Sequence, residues 1–185
     1  MNIFLIPPLL YEILLYPDTY LHLTFWTWLF HIISYNFIKI KYFTNIFFTA
    51  SYFGSYFVLF GYITCLIFNP YLEYDLVKSK RLGYTNFNLW FRSFYFHLLP
   101  VLVAEFSRKL FIFNKYGIYL YICIPLLHLI CGIVNELKNN NKRMSAYHIY
   151  IKTESNKNLK LGEIKFILVQ ICILFLSIIF TIKNF

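Results

Sequence analysis

The sequence predicts an all-α fold, a single integral membrane bundle of six transmembrane helices. Three observations carry this. Of 185 residues, 59% are hydrophobic and only 14% charged, where soluble domains carry about a quarter charged residues. The mean hydropathy is positive, at +0.59. The apolar residues are bunched into six runs, too long for buried strands and mostly near the roughly 20 residues a helix needs to cross a bilayer. The 23% aromatic share, with heavy use of Phe, Tyr, Ile, Asn and Lys, accords with AT-rich coding and is not read as a ligand site.

The first run, Met1 to Tyr16, contains Pro7, Pro8 and Glu12. It is short for a span, and its prolines predict a bent or partly re-entrant start. It has no basic leading region and no small-x-small cleavage pattern, so a retained helix is expected, not a cleaved signal peptide. The second run, Tyr20 to Ile38, ends against Lys39 and Lys41. The third, Tyr42 to Phe68, stops at Asn69-Pro70, where proline removes a donor and restricts the residue before it. The fourth goes from Phe87 to Phe106 and closes on Arg108 and Lys109; the fifth goes from Tyr116 to Val134. Residues 136–163 form a hydrophilic loop without the apolar mass for a domain. The sixth run is Ile164 to Ile182. Residues 1–185 are therefore read as one polytopic domain.

The net charge of +9 sits in the connections. A nucleic-acid module would gather such charge on one folded surface with aromatic platforms, and none is visible. Anionic head groups and orientation account for it. With six spans, ten Lys or Arg fall on one side and six on the other, which places the termini on the non-cytoplasmic side. Cys65, Cys123, Cys131 and Cys172 lie in apolar runs without a CxxC pair, so neither zinc nor a disulfide framework is indicated.

Polar groups inside spans are costly unless paired or facing a cavity. In the second run Thr24, Thr27, His31 and Ser34 follow a 3-4-3 spacing that puts them on one helix face, with His22 near the mouth. This stripe fits either interhelical hydrogen bonding or a pocket lining. The fourth run holds His97 near its middle, Ser93 one turn before it and Glu105 two turns after it. Arg92 is expected to snorkel, and Glu105 to pair with Arg108 or Lys109. His97 has no such outlet. It fits a general base, whose ordinary pKa suits proton transfer near neutrality, a metal ligand or a structural residue. In the fifth run His128, Cys131, Gly132 and Asn135 align, with Pro125 as a bend. Several histidines and Glu105 could in principle hold a metal, but no HExxH or similar spacing occurs, so neither metal nor cofactor is expected. Ser51, Gly54, Ser55 and Gly61 mark the third run as a packing helix. No GxSxG elbow, glycine-rich nucleotide loop or kinase signature is present.

YLHLTFW around Thr24, NPYLEYD after the third run, HLLPVLVAEF from His97, and His128 with Gly132 together resemble motifs of the androgen-induced/FAR-17a family of multipass membrane proteins. The resemblance covers roughly Leu10 to Glu136. It implies six spans and hydrolysis of fatty acid esters of hydroxy fatty acids by an intramembrane threonine and histidine, here Thr24 as nucleophile and His97 as base. Thr27, His31, Ser93, Glu105 and His128 are the expected supporting residues, and the partners are the bilayer and a lipid ester. An endomembrane or plasma-membrane location is expected. The rival expectation is a non-catalytic subunit of a large membrane complex, for instance in the mitochondrial inner membrane, whose polar residues are assembly contacts.

Overall fold

A computed structural model describes residues 6–15, 23–68, 90, 91, 93–124, 126, 175 and 179. Residues 69–89, His22, Arg92, His128, the loop 136–163 and nearly all of the sixth run lie outside the described residues. So do Cys131 and Cys172 and the side chains of Glu12 and Cys65. Among the described residues the secondary structure is helical, with no strand.

Helix α1 is Ile6–Leu15. Pro7 and Pro8 occupy its first turn, where backbone N–H groups lack helical acceptors and a proline costs nothing. Helix α2 is Leu23–Asn36 and α3 is Lys41–Phe68, 28 residues long. A tight turn joins them, closed by the Ile40 N–H donating to the Phe37 carbonyl at 2.8 Å. The Lys41–Thr64 stretch of α3 is long and apolar enough to cross a membrane, and it is the one such helix among the described residues.

The α2–α3 pair is the principal interface, and small residues make it close. Ala50, Ser51, Gly54 and Ser55 are buried along α3. A Cβ on Gly54 would lie 2.9 Å from the Thr27 hydroxyl oxygen, so this glycine is needed for the approach. The buried hydroxyls are satisfied within their own turns: Ser51 donates to the Phe48 carbonyl at 2.9 Å, Ser55 to Ser51 at 2.6 Å and Thr49 to Asn45 at 2.7 Å. Back-bonding of this kind lets small polar residues fill an apolar interior. Around them Phe30, Tyr35, Phe48, Phe53, Phe57, Ala104, Phe111 and Tyr121 form one aromatic core. A second cluster joins Leu9 of α1 to Trp28, Tyr95 and Phe96.

The fourth run is not one uniform α-helix. Phe94–Leu98 is π-helical, with the Leu99 N–H donating to the Phe94 carbonyl, and it passes into α4, Leu99–Ser107. Pro100 is the local cause: it has no N–H to give to the preceding turn, and a wider turn accommodates its ring. A 3₁₀ turn, Arg108–Leu110, ends the segment. Phe91, Phe94, Leu98, Leu102 and Phe106 recur every three or four residues and are exposed, forming an apolar stripe along the segment.

Residues 111–114 are non-helical and residues 115–124 form α5. The Ile112 N–H donates to Asn45 Oδ1 at 3.2 Å and the Asn114 N–H to Thr49 Oγ1 at 2.9 Å, fastening this connection to α3. Gly117 lets α5 cross α3 backbone to backbone, since a Cβ there would lie 2.4 Å from the Ile46 carbonyl oxygen. The Tyr42 and Tyr116 rings, 6.4 Å apart, mark the same end. Lys39, Lys41, Arg108, Lys109 and Lys115 therefore gather at one end of the described helices.

Candidate functional site

The polar stripe of α2 divides. Thr27 is buried; its hydroxyl donates to the Leu23 carbonyl at 3.0 Å and its side chain faces Gly54. It also lines a small apolar cavity of about 20 Å³ with Leu23, Trp26, Phe30, Ala50, Phe57, Val58, Tyr121 and Ile124, room for about one water molecule. His31 is fully buried, its Nε2 2.9 Å from Ser55 Oγ. Ser34, also fully buried, donates to the Phe30 carbonyl at 2.6 Å. These three serve the α2–α3 interface. Thr24 is half-buried.

His97 lies in the π-helical segment. Its Nδ1 is 3.1 Å from the Ser93 carbonyl oxygen. A carbonyl can only accept, so Nδ1 carries the proton and the neutral ring keeps its lone pair on Nε2. Tyr62 of α3 stacks flat on the imidazole, with centroids 3.7 Å apart and planes 9° from parallel. The Tyr62 hydroxyl donates to Ser93 Oγ at 3.0 Å. Ser93, His97 and Tyr62 are thus one unit spanning two helices, its ring orientation set by stacking and its tautomer by a backbone carbonyl.

Helix register relates Thr24 to that unit. Trp28 stacks on Tyr95, and the Tyr35 hydroxyl reaches Ser107 Oγ with the Val103 carbonyl 3.4 Å away. These pairings put Thr24 level with about residues 91–96 of the fourth run. The antiparallel contacts of Thr27 with Gly54 and His31 with Ser55 put it level with about residues 57–62 of α3. Thr24, Tyr62, Ser93 and His97 accordingly share one layer near the same end of the helices. Among the described residues no hydrogen bond joins Thr24 to His97.

Glu105 departs from its expected pairing. Both Tyr52 and Tyr56 of α3 donate to its Oε1 at 2.5 Å, and it forms no ion pair among the described residues. Arg108 lies over the Phe113 ring instead, 5.6 Å from the centroid. Spacing along one helix suggested Arg108 or Lys109 as partner, but both are exposed and have little to gain from an exposed pair. Two hydroxyls already held at the carboxylate by α3 win. Glu105 sits at the other end of the segment from the His97 unit and works as a tie between α3 and α4.

Tyr62, Tyr52 and Tyr56 are the residues that sequence reasoning missed. The four-residue spacing of Tyr52 and Tyr56 places their hydroxyls on one face and was a readable signal. Tyr62 carried none, because its role depends on which helix packs beside α3. Among the described residues no group of three or more His, Cys, Asp or Glu is placed to hold a metal.

Compared with protein-family models, curated proteins and solved structures, the chain matches none.

Proposed function

We propose that this chain is a multipass membrane protein that hydrolyses long-chain fatty acid esters, with Thr24 as nucleophile and His97 as base, and that it is a distant member of the androgen-induced/FAR-17a family. The carrying observation is the His97 unit. A histidine whose Nδ1–H is held by a carbonyl presents Nε2 as the basic nitrogen, the arrangement that activates a hydroxyl nucleophile. It lies in the layer of Thr24, in a π-helical turn of a kind frequent at functional sites.

In the reaction Nε2 takes the Thr24 hydroxyl proton as Oγ1 attacks the ester carbonyl. The tetrahedral oxyanion then collapses, and the imidazolium returns the proton to the departing alkoxide, releasing the alcohol. Water attacks the acyl-threonine with His97 again as base, and the free fatty acid leaves. Ser93 is the suited oxyanion donor, because its Oγ accepts from Tyr62 and its own hydrogen can point to substrate. His31, committed to Ser55 in the interior, is left out of this step. Helix tilt and substrate binding bring Thr24 and His97 together, as catalytic hydrogen bonds often tighten only in the complex.

The test is release of free fatty acid from a panel of long-chain esters by purified protein in lipid nanodiscs. Thr24→Ala and His97→Ala are expected to lose about 100-fold or more, with Thr27→Ala remaining active. Full activity of a folded His97→Ala protein, or none from folded wild type across chain lengths, refutes the proposal. The second reading, a non-catalytic subunit, is favoured by one observation: Thr27, His31 and Ser34 are all taken up by helix packing. An inactive wild type that purifies in a stable larger assembly supports it.

A further inference from the structure

Two nitrogens in the interior have no hydrogen-bond partner among the described residues, and they are complementary. Trp28 Nε1 and His31 Nδ1 are both buried and both unpartnered, on side chains that are themselves fully buried. They stand three residues apart on one face of α2, with ring centroids 5.9 Å apart. Buried polar groups in native proteins are nearly always paired, with protein or with water. Two exceptions side by side therefore point to something between them.

Counting hydrogens gives each nitrogen its role. Ser55 has one hydroxyl hydrogen, and its shorter contact, 2.6 Å, is to the Ser51 carbonyl, which can only accept. The 2.9 Å contact between Ser55 Oγ and His31 Nε2 is then made with the imidazole donating. Nε2 holds the proton, and Nδ1 of the neutral ring is a bare acceptor. The Trp28 indole N–H is a donor only. An acceptor without a donor thus lies beside a donor without an acceptor.

We propose that a single buried water molecule binds between Trp28 and His31, accepting from the indole Nε1–H and donating to Nδ1. Two hydrogen bonds of ordinary length through a bridging oxygen span up to about 6 Å between heavy atoms, and the two ring centroids are 5.9 Å apart. The water's second hydrogen has an acceptor close by: the Pro100 carbonyl, itself within hydrogen-bonding reach of the His31 ring. That makes three partners, the usual number for an internal water. A larger polar ligand is excluded by the packing, since Trp28 is stacked on Tyr95 at 4.9 Å and His31 on Tyr35 at 6.3 Å. The water links α2 to α4 in addition to the direct contact of Tyr35 with Ser107. It is independent of the proposed hydrolase activity.

The test is NMR on the full chain, labelled with ¹⁵N in Trp and His, in lipid nanodiscs. The Trp28 indole resonance is assigned by its loss in Trp28→Phe. Expected are a through-space cross peak from the Trp28 indole proton to a long-lived water and a His31 signal of the Nε2–H tautomer. In His31→Phe the cross peak disappears. Should that variant fail to fold, Trp28→Phe reads the same water from the other side, and the His31 Nδ1 shift moves toward that of a nitrogen with a weaker hydrogen bond. No water cross peak at the indole of the folded protein overturns the proposal. So does a cross peak unchanged in His31→Phe, an Nδ1–H tautomer, or a His31 shift indifferent to Trp28→Phe.

Discussion

Replacing Gly117 by alanine should loosen the junction of α3 and α5. A Cβ at this position falls 2.4 Å from the Ile46 carbonyl oxygen, 2.5 Å from Thr49 Cβ and 3.1 Å from Thr49 Cγ2. Ordinary contact begins near 3.5 Å, so the two helices must part by about 1 Å. Neither neighbour can rotate away, because one is backbone and the other is the branch point of a stiff side chain. A gap of that size forfeits a quarter to a half of each dispersion contact along the junction. Overpacking of this kind costs about 3 kcal/mol, the upper part of its usual range. Against it stands roughly 1 kcal/mol from the better helix propensity of alanine. The net expectation is a loss of about 2 kcal/mol, read by reversible unfolding in mixed micelles followed by tryptophan fluorescence. A Gly117→Ala protein as stable as the parent, or more so, would refute the close crossing of α5 on α3.

Three further expectations use the same assay. Gly54→Ala meets only the Thr27 hydroxyl, at 2.9 Å, so it should cost about 1 kcal/mol, and adding Thr27→Ala should recover most of that loss. Glu105→Gln should cost about 1 kcal/mol, an exposed site tempering what two charged hydrogen bonds contribute; combined with Tyr52→Phe, the effects should sum to less than their separate values if the carboxylate and hydroxyl act together. Tyr35→Phe should cost about 1–2 kcal/mol by leaving the buried Ser107 hydroxyl short of a partner, and Ser107→Ala in that background should add little.

The third helix was legible almost to the residue, and the described part of the second lies within its run. The run from Tyr20 to Ile38 contains α2 at Leu23–Asn36, and the run starting at Tyr42 matches α3 at Lys41–Phe68. Their apolar lengths and the basic turn between them left little freedom. The shared face of Thr27, His31 and Ser34 was equally readable, because it follows from helical spacing alone. What filled that face was not. Ser55 is 24 residues from His31, and its place opposite depends on how far α3 slides along α2, which the small residues and Thr27 determine together. The fourth run misled for another reason: hydrophobic periodicity over 20 positions hardly registers one wider turn, even with Pro100 present to suggest it.

That wider turn has a consequence for lineage. A π-helical turn holds one residue more than the α-helical turn it replaces, so the chain before Phe94 is out of phase by about 100° with an uninterrupted helix ending at Ser107. Losing a single codon within Phe94–Leu98 would restore an ordinary helix and swing Ser93 and its upstream neighbours to another face while leaving Ala104 and Ser107 in place. A related chain without the extra residue would therefore align with this one only across a one-residue gap. A comparison that forbids a gap inside a helix would pair the residues on one side of His97 correctly and those on the other side wrongly.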